Sequence, residues 1–209
     1  MVADGNRRGI RHLLPDFWEQ ATDHSLALPS DKPVSASAIC QARARHDSDV
    51  FRDLLYALSC AQPGQVERAR RWRGRRIYAA DGAKINLRGA PDLEYSFGVP
   101  EGAHYPQVLM SALVDVCSRA PVDFEVSGYR GSEREHLLLM LDSVDPGDLL
   151  ILDRGHPSHE ILQACAAAGI DYLVRVPVSH TFAAVDKFRL SGDSEAMATL
   201  KLSSNADYN

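Results

Sequence analysis

The chain has 209 residues, 45% of them hydrophobic, 24% charged and 7% aromatic, with a formal net charge of −5 at pH 7. That length allows one sizeable core or two small ones, and the composition is that of an ordinary globular protein. No apolar run approaches the ~20 residues needed to cross a bilayer. Arg7, Arg8 and Arg11 precede no apolar stretch, so neither a membrane protein nor a signal peptide is expected.

Residues 1–33 close in a loop, Leu28-Pro29-Ser30-Asp31-Lys32-Pro33. Two short helices follow. The first covers about Ser37 to Arg45. The second is capped by Asp47 or Ser48, carries the stripe Val50, Phe51, Leu54, Leu55 and Leu58, and is ended by Pro63-Gly64. These helices read as a small packing domain, or alternatively as a DNA-binding module. From Arg68 to Arg76 the sequence is RARRWRGRR, six arginines in nine positions.

Strand patterns begin there. Arg76 to Asp81 is a strand closed by Gly82, and the Gly-, Pro- and charge-rich stretch 83–106 reads as a long loop. Val108 to Cys117 and Val122 to Ser127 are two further strands around the turn Ser118-Arg119-Ala120-Pro121. Ser132-Glu133-Arg134-Glu135 has capping-box spacing ahead of a helix through Leu137 to Leu141. After the turn Asp145-Pro146-Gly147, the run Leu149-Leu150-Ile151-Leu152 is a buried strand ending in Asp153. Ser158 caps a helix with Ile161, Leu162, Cys165 and Ala166 inward and Gly169 at its end. Ile170 to Val176 is a last strand, stopped by Pro177. The order β-β-β-α-β-α-β is that of an α/β protein, with the early strands antiparallel and the α-linked ones parallel.

Cys40, Cys60, Cys117 and Cys165 form no C-x-x-C pair and lie in apolar segments, so they are read as reduced core residues of a cytosolic protein rather than a zinc site. The charge is uneven: residues 1–80 hold 13 Lys/Arg and 9 Asp/Glu, and residues 81–209 hold 10 and 19. Such a division suits a protein that grips phosphates with one part and loads cations in another, and taken alone it equally describes two solvated surfaces.

Two aspartates stand at strand ends, Asp81 before Gly82 and Asp153 before Arg154-Gly155. Ligands of open α/β sheets bind beyond the carboxyl ends of strands. Two strand-borne carboxylates suit Mg²⁺, a hard cation that takes few protein ligands. Asp-Gly is also common turn chemistry, and the pattern alone leaves phosphatases, nucleases and Rossmann-type enzymes open.

At these residues the sequence resembles the IS-four family of insertion-sequence transposases. The segments that carry it are Tyr78-Ala79-Ala80-Asp81-Gly82-Ala83-Lys84, Tyr105-Pro106-Gln107 leading into Ala112-Leu113-Val114-Asp115, and Tyr129-Arg130-Gly131-Ser132-Glu133-Arg134-Glu135. The fourth and most specific is Gly147-Asp148-Leu149-Leu150-Ile151-Leu152-Asp153-Arg154-Gly155, with a helix and Asp171-Tyr172-Leu173-Val174-Arg175 behind it. With a looser match in PVSASAICQARARHDSDVFRDLL the resemblance covers about residues 34–177.

The resemblance implies an RNase H-like mixed sheet (67–177) after a small N-terminal helical region (1–66), with 178–209 as the start of a β-rich insertion. It implies that Asp81 and Asp153 are the first two members of a DDE triad. They would hold two Mg²⁺ ions, with Mn²⁺ as a substitute, for cleavage and strand transfer at transposon ends. The partner implied is double-stranded DNA, at terminal inverted repeats and at the target, bound by a homodimer of the full-length protein in the bacterial cytoplasm and nucleoid. The family's third member is a Glu within Y-x2-R-x3-E-x6-K. Tyr172 and Arg175 have the first spacing, but the next positions hold Ser179 and Asp186, so the motif is not there. The chain is expected to stop short of that Glu. Asp193 and Glu195 belong to a turn and are not promoted to the role.

Arg68, Arg70, Arg71, Arg73, Arg75 and Arg76 fit either DNA phosphate binding, with Trp72 stacking, or a solvated linker. Arg154 suits a DNA phosphate or a structural ion pair. His156 and His159 lack a third soft ligand, and His159 reads as a helix-start surface residue. Three functions stay open: a transposase fragment, an inactive DNA- or subunit-binding fragment that inhibits a full-length transposase, and another metal-dependent phosphodiesterase.

Overall fold

The computed structural model describes residues 9–28, 30–60, 71–177 and 182–199, with the backbone alone at 58–60. Arg68, Arg70, Pro63-Gly64, Ser179 and the Cys60 side chain lie outside the described residues. The chain divides into two compact units, Met1–Phe51 and Arg52–Asn209. The boundary thus falls inside the second expected helix rather than after residue 66.

The first unit holds α1 (Ile10–Asp23), which the sequence reading did not assign, and α2 (Ala36–Arg43). Leu14, Trp18 and Ala21 line the buried stripe of α1, one helical turn apart. The Trp18 indole N–H donates to the Ser30 carbonyl (2.9 Å). Ser35 caps α2 by accepting from the Ala38 N–H at 3.1 Å.

In the second unit, α3 (Asp49–Cys60) precedes a five-stranded mixed sheet ordered β3-β2-β1-β4-β5. The strands are β1 (Ile77–Asn86), β2 (Gln107–Asp115), β3 (Ala120–Gly128), β4 (Leu149–Leu152) and β5 (Asp171–Val174). β1 to β3 are antiparallel, and β1, β4 and β5 are mutually parallel, as expected, although β1 and β2 are joined by a long connection and not by a short turn. The crossover helices are α5 (Glu133–Met140), which runs on into a 3₁₀ turn Leu141–Ser143, and α6 (His159–Ala167). One sheet face packs on them: Tyr78, Ala80, Leu113, Leu150 and Leu152 meet Leu137, Met140, Ile161 and Cys165. By strand alternation the other face carries Ile85, Met110, Val126 and Leu173, each at least 38% exposed.

Several expectations are corrected. β1 does not end at Asp81. Gly82 stays in the ladder opposite Ser111, and pairing with β2 continues to Asn86. Within the supposed loop 83–106 lies a short helix, α4 (Pro91–Phe97), with proline in its first turn, where the missing N–H costs nothing. Ser132 precedes α5 but makes no side-chain cap bond, so the capping box does not form. Ser158 does cap α6, accepting from the Ile161 N–H, and Gly169 follows at φ 69°. Cys165 is buried, but Cys40 and Cys117 are exposed, because α2 buries none of its residues and Cys117 falls in the turn after β2. In place of strands, the described stretch 182–199 holds α7 (Ala183–Ser191).

Candidate functional site

Asp81 and Asp153 are set by two neighbouring parallel strands. The β1–β4 ladder ends at the pair Ala79 and Ile151, and each aspartate stands two residues further along its own strand line. Parallel strands lie about 4.8 Å apart, which sets the scale of the gap between them. Tyr78, Ala80, Leu150 and Leu152 are buried in the core, alternation along β1 turns Asp81 away from that face, and Asp81 and Asp153 are both exposed.

Each carboxylate is held from behind by a glycine. The Gly82 N–H donates to Asp81 Oδ1 at 2.9 Å. The Gly155 N–H donates to Asp153 Oδ1 at 2.8 Å, and the His156 Nδ1–H donates to the same oxygen at 3.0 Å. The Gly155 amide first, then His156, hold the Asp153 carboxyl below the usual carboxylate range, and the charge of Arg175 adds to the effect. These donors favour the charged form.

Glu133, at the start of α5, approaches Gly82 and Gly155, the glycines that bond the two carboxylates. A Cβ on Gly82 would lie 2.6 Å from the Glu133 carboxyl group. A Cβ on Gly155 would lie 3.3 Å from Asp153 Oδ1 and 3.8 Å from Glu133 Oε2. A side chain at position 82 would displace the Glu133 carboxyl group, and one at position 155 would crowd the Asp153 carboxylate. The next residue, Arg134, donates from Nε to the Gly155 carbonyl at 2.9 Å. Sequence reasoning named Glu133 in a helix cap and in a segment that carries the resemblance, without assigning it to the site. The available signal was the glycine that follows each aspartate, in Asp81-Gly82 and in Asp153-Arg154-Gly155.

The arginines divide. Trp72 to Arg75 form a tight turn with Arg73 and Gly74 at positive φ, and the Arg73 guanidinium lies 4.8 Å over the Trp72 ring. Arg75 is ion-paired with Asp171, Arg71 donates to the Gly74 carbonyl, and Arg76 meets the Tyr78 hydroxyl. Arg154 is exposed and has no ion-pair partner among the described residues. His156 is buried (1% exposed), and His159 is half-buried with its ring 5.2 Å from Phe182, so it is not the surface residue expected. Asp193 and Glu195 are exposed beyond α7, after Gly192.

The donor set fits a hard divalent cation, because the exposed groups are carboxylate oxygens and Asp153 is kept ionised. Among the described residues no group of three or more His, Cys, Asp and Glu side chains is gathered closely enough to hold a metal ion. Two carboxylates suffice for Mg²⁺ where water and substrate phosphates complete its shell.

Residues 72–199, which include both aspartates, match the family described as "Transposase DDE domain". The chain is also 24% identical over 188 residues to the transposase InsG for insertion sequence element IS4 of Escherichia coli (strain K12), a match covering 87% of this chain. It spans 42% of that relative's length. With the mixed sheet and its two aspartates inside the matched region, the chain belongs to the DDE transposase family.

Proposed function

We propose that this chain is the part of an insertion-sequence DNA transposase that carries the first two carboxylates of the catalytic site, Asp81 and Asp153. The observation that carries the reading is their common level on the adjacent parallel strands β1 and β4, within the region matched to the family. The reaction is metal-dependent phosphodiester cleavage and strand transfer at transposon ends. Double-stranded DNA is the partner, the full-length protein acts as a homodimer, and the nucleoid is the place of work.

Asp81 and Asp153 would hold the divalent ions, Mg²⁺ or in its place Mn²⁺. Such ions supply charge neutralisation at the attacked phosphodiester and at its leaving oxygen. The chain's own contribution is positioning. Strands fix the two carboxylates, and the Gly82 and Gly155 amides orient one oxygen of each. Arg154, exposed beside Asp153, would meet a DNA phosphate and offset the repulsion between backbone and carboxylates.

The test is Mn²⁺ binding to the purified chain, followed by electron paramagnetic resonance. Asp81→Asn and Asp153→Asn should each weaken binding by at least tenfold while the circular dichroism spectrum stays that of the parent. Wild-type Mn²⁺ affinity in both variants would overturn the assignment.

A further inference from the structure

Two consecutive residues of α5 each touch the glycine that orients one of the aspartates. Asp81 Oδ1 accepts the Gly82 N–H, and the Glu133 carboxyl group occupies the space where a Gly82 side chain would stand. Asp153 Oδ1 accepts the Gly155 N–H, and Arg134 Nε donates to the Gly155 carbonyl. α5 is itself fixed to the sheet. The buried His136, one turn along, bonds Ser111 Oγ on β2 at 2.9 Å and Ser127 Oγ on β3 at 2.8 Å.

We infer that Glu133 and Arg134 are positioning residues for the Asp81–Asp153 site, a two-residue brace that sets the glycine behind each carboxylate. The inference rests on the reading of that site given above. Neither residue needs to touch DNA or metal. Each acts through a glycine: Arg134 fixes the Asp153–Gly155 turn by the Gly155 carbonyl, and Glu133 fills the gap over Gly82 and borders Gly155. The absence of a Cβ at Gly82 is what lets Glu133 come so close, since any side chain there would overlap it at 2.6 Å. The brace also links two strands that pair through only three residue pairs, Ile77 to Ala79 with Leu149 to Ile151, below the level of the aspartates.

The experiment measures the Mn²⁺ dissociation constant and the metal-free melting temperature of the 209-residue chain in parallel. Groups that orient metal ligands typically account for 10–100-fold in metal affinity. Arg134→Ala and Gly82→Ala are each expected to weaken Mn²⁺ binding about tenfold with the metal-free melting temperature little changed. Arg134→Lys, which keeps a donor for the Gly155 carbonyl, should recover most of the loss. Gly82→Ala combined with Glu133→Ala should bind no worse than Glu133→Ala alone, because removing the side chain removes the overlap.

Parent affinity in Arg134→Ala and Gly82→Ala, with affinity lost in Asp81→Asn and Asp153→Asn, would overturn the brace and leave the site assignment standing. Parent affinity in the two aspartate variants would remove both. Losses of affinity that merely follow falling melting temperatures across the series would reduce Glu133 and Arg134 to general packing and also overturn the inference.

Discussion

His156 lies beneath Asp153, its Nδ1 3.0 Å from Oδ1, an imidazole 1% exposed supporting a carboxylate that is 64% exposed. Together with the Gly155 amide, it lowers the Asp153 carboxyl below its ordinary value. A depressed folded-state pKa means that the unfolded chain binds the proton first as pH falls. The stabilisation is therefore complete above the unfolded carboxylate value, near 4, and is lost as pH drops through the lower folded value. Urea melts from pH 5 down to pH 2 should show a steeper loss of stability for the parent than for Asp153→Asn, which has no such proton to take up. Parallel pH profiles would remove the linkage. The exposure of Asp153 keeps the effect small.

How much of this was legible beforehand depended on how local the cause was. The β2–β3 hairpin and the parallel later strands could be read because connection types dictate them: a short turn between β2 and β3, helices between the later strands. Ser158 and Gly169 could be read because a cap bond and a left-handed residue are local chemistry. Gly82 misled because its common role is in turns, whereas here it serves an approach from Glu133, 51 positions further along the chain. The six-arginine run read as one unit, yet Arg75 is taken by Asp171, a residue of β5 that no local pattern connects to it.

Asp123 should be a stability hot spot. It is buried on the edge strand β3 and holds Arg52 and Tyr56 of α3 as well as Ser143 after α5. Asp123→Ala would leave the Arg52 guanidinium with Glu125 (3.1 Å) and the Phe124 ring, and the Tyr56 and Ser143 hydroxyls with only their long contact to each other at 3.4 Å. Losing hydrogen bonds to a buried charge costs about 2–3 kcal/mol. Chemical denaturation should show that loss at unchanged slope. A change under 0.5 kcal/mol, about the scatter of ordinary surface substitutions, would show that α3 is held by its apolar contacts instead.

The His136 bridge makes a second stability test. Ser127 Oγ donates to the Gly128 carbonyl (3.4 Å), so it accepts from His136 Nε2–H, and His136 Nδ1 accepts from the Ser111 hydroxyl. A Cβ on Gly131 would overlap that Ser127 Oγ. Gly131→Ala should therefore push Ser127 off His136 and cost about 1–3 kcal/mol, as overpacking does. Adding Ser127→Ala should restore part of the loss by removing the overlapping oxygen. An additive pair would show that the clash is relieved elsewhere.

The arginines near the site separate DNA contacts from structural ones. A guanidinium that meets a phosphate releases a counterion, so its loss flattens the dependence of log affinity on log salt by about 0.9. Arg154 is exposed with no ion-pair partner among the described residues, and Arg73 lies over Trp72 at the tip of a turn. Arg154→Ala and Arg73→Ala should each lower affinity for inverted-repeat and unrelated duplexes alike, with the salt slope falling by roughly one unit. Arg75, paired with Asp171, belongs to the fold. Arg75→Ala should lower the melting temperature while leaving the slope near the parent value, and Asp171→Ala should lower it to a similar extent. Fluorescence anisotropy on both duplexes between 50 and 300 mM salt would decide the matter. Slopes equal to the parent's in Arg154→Ala and Arg73→Ala would return both residues to the solvated surface, and a flattened slope in Arg75→Ala would place the Asp171 pair on the DNA path.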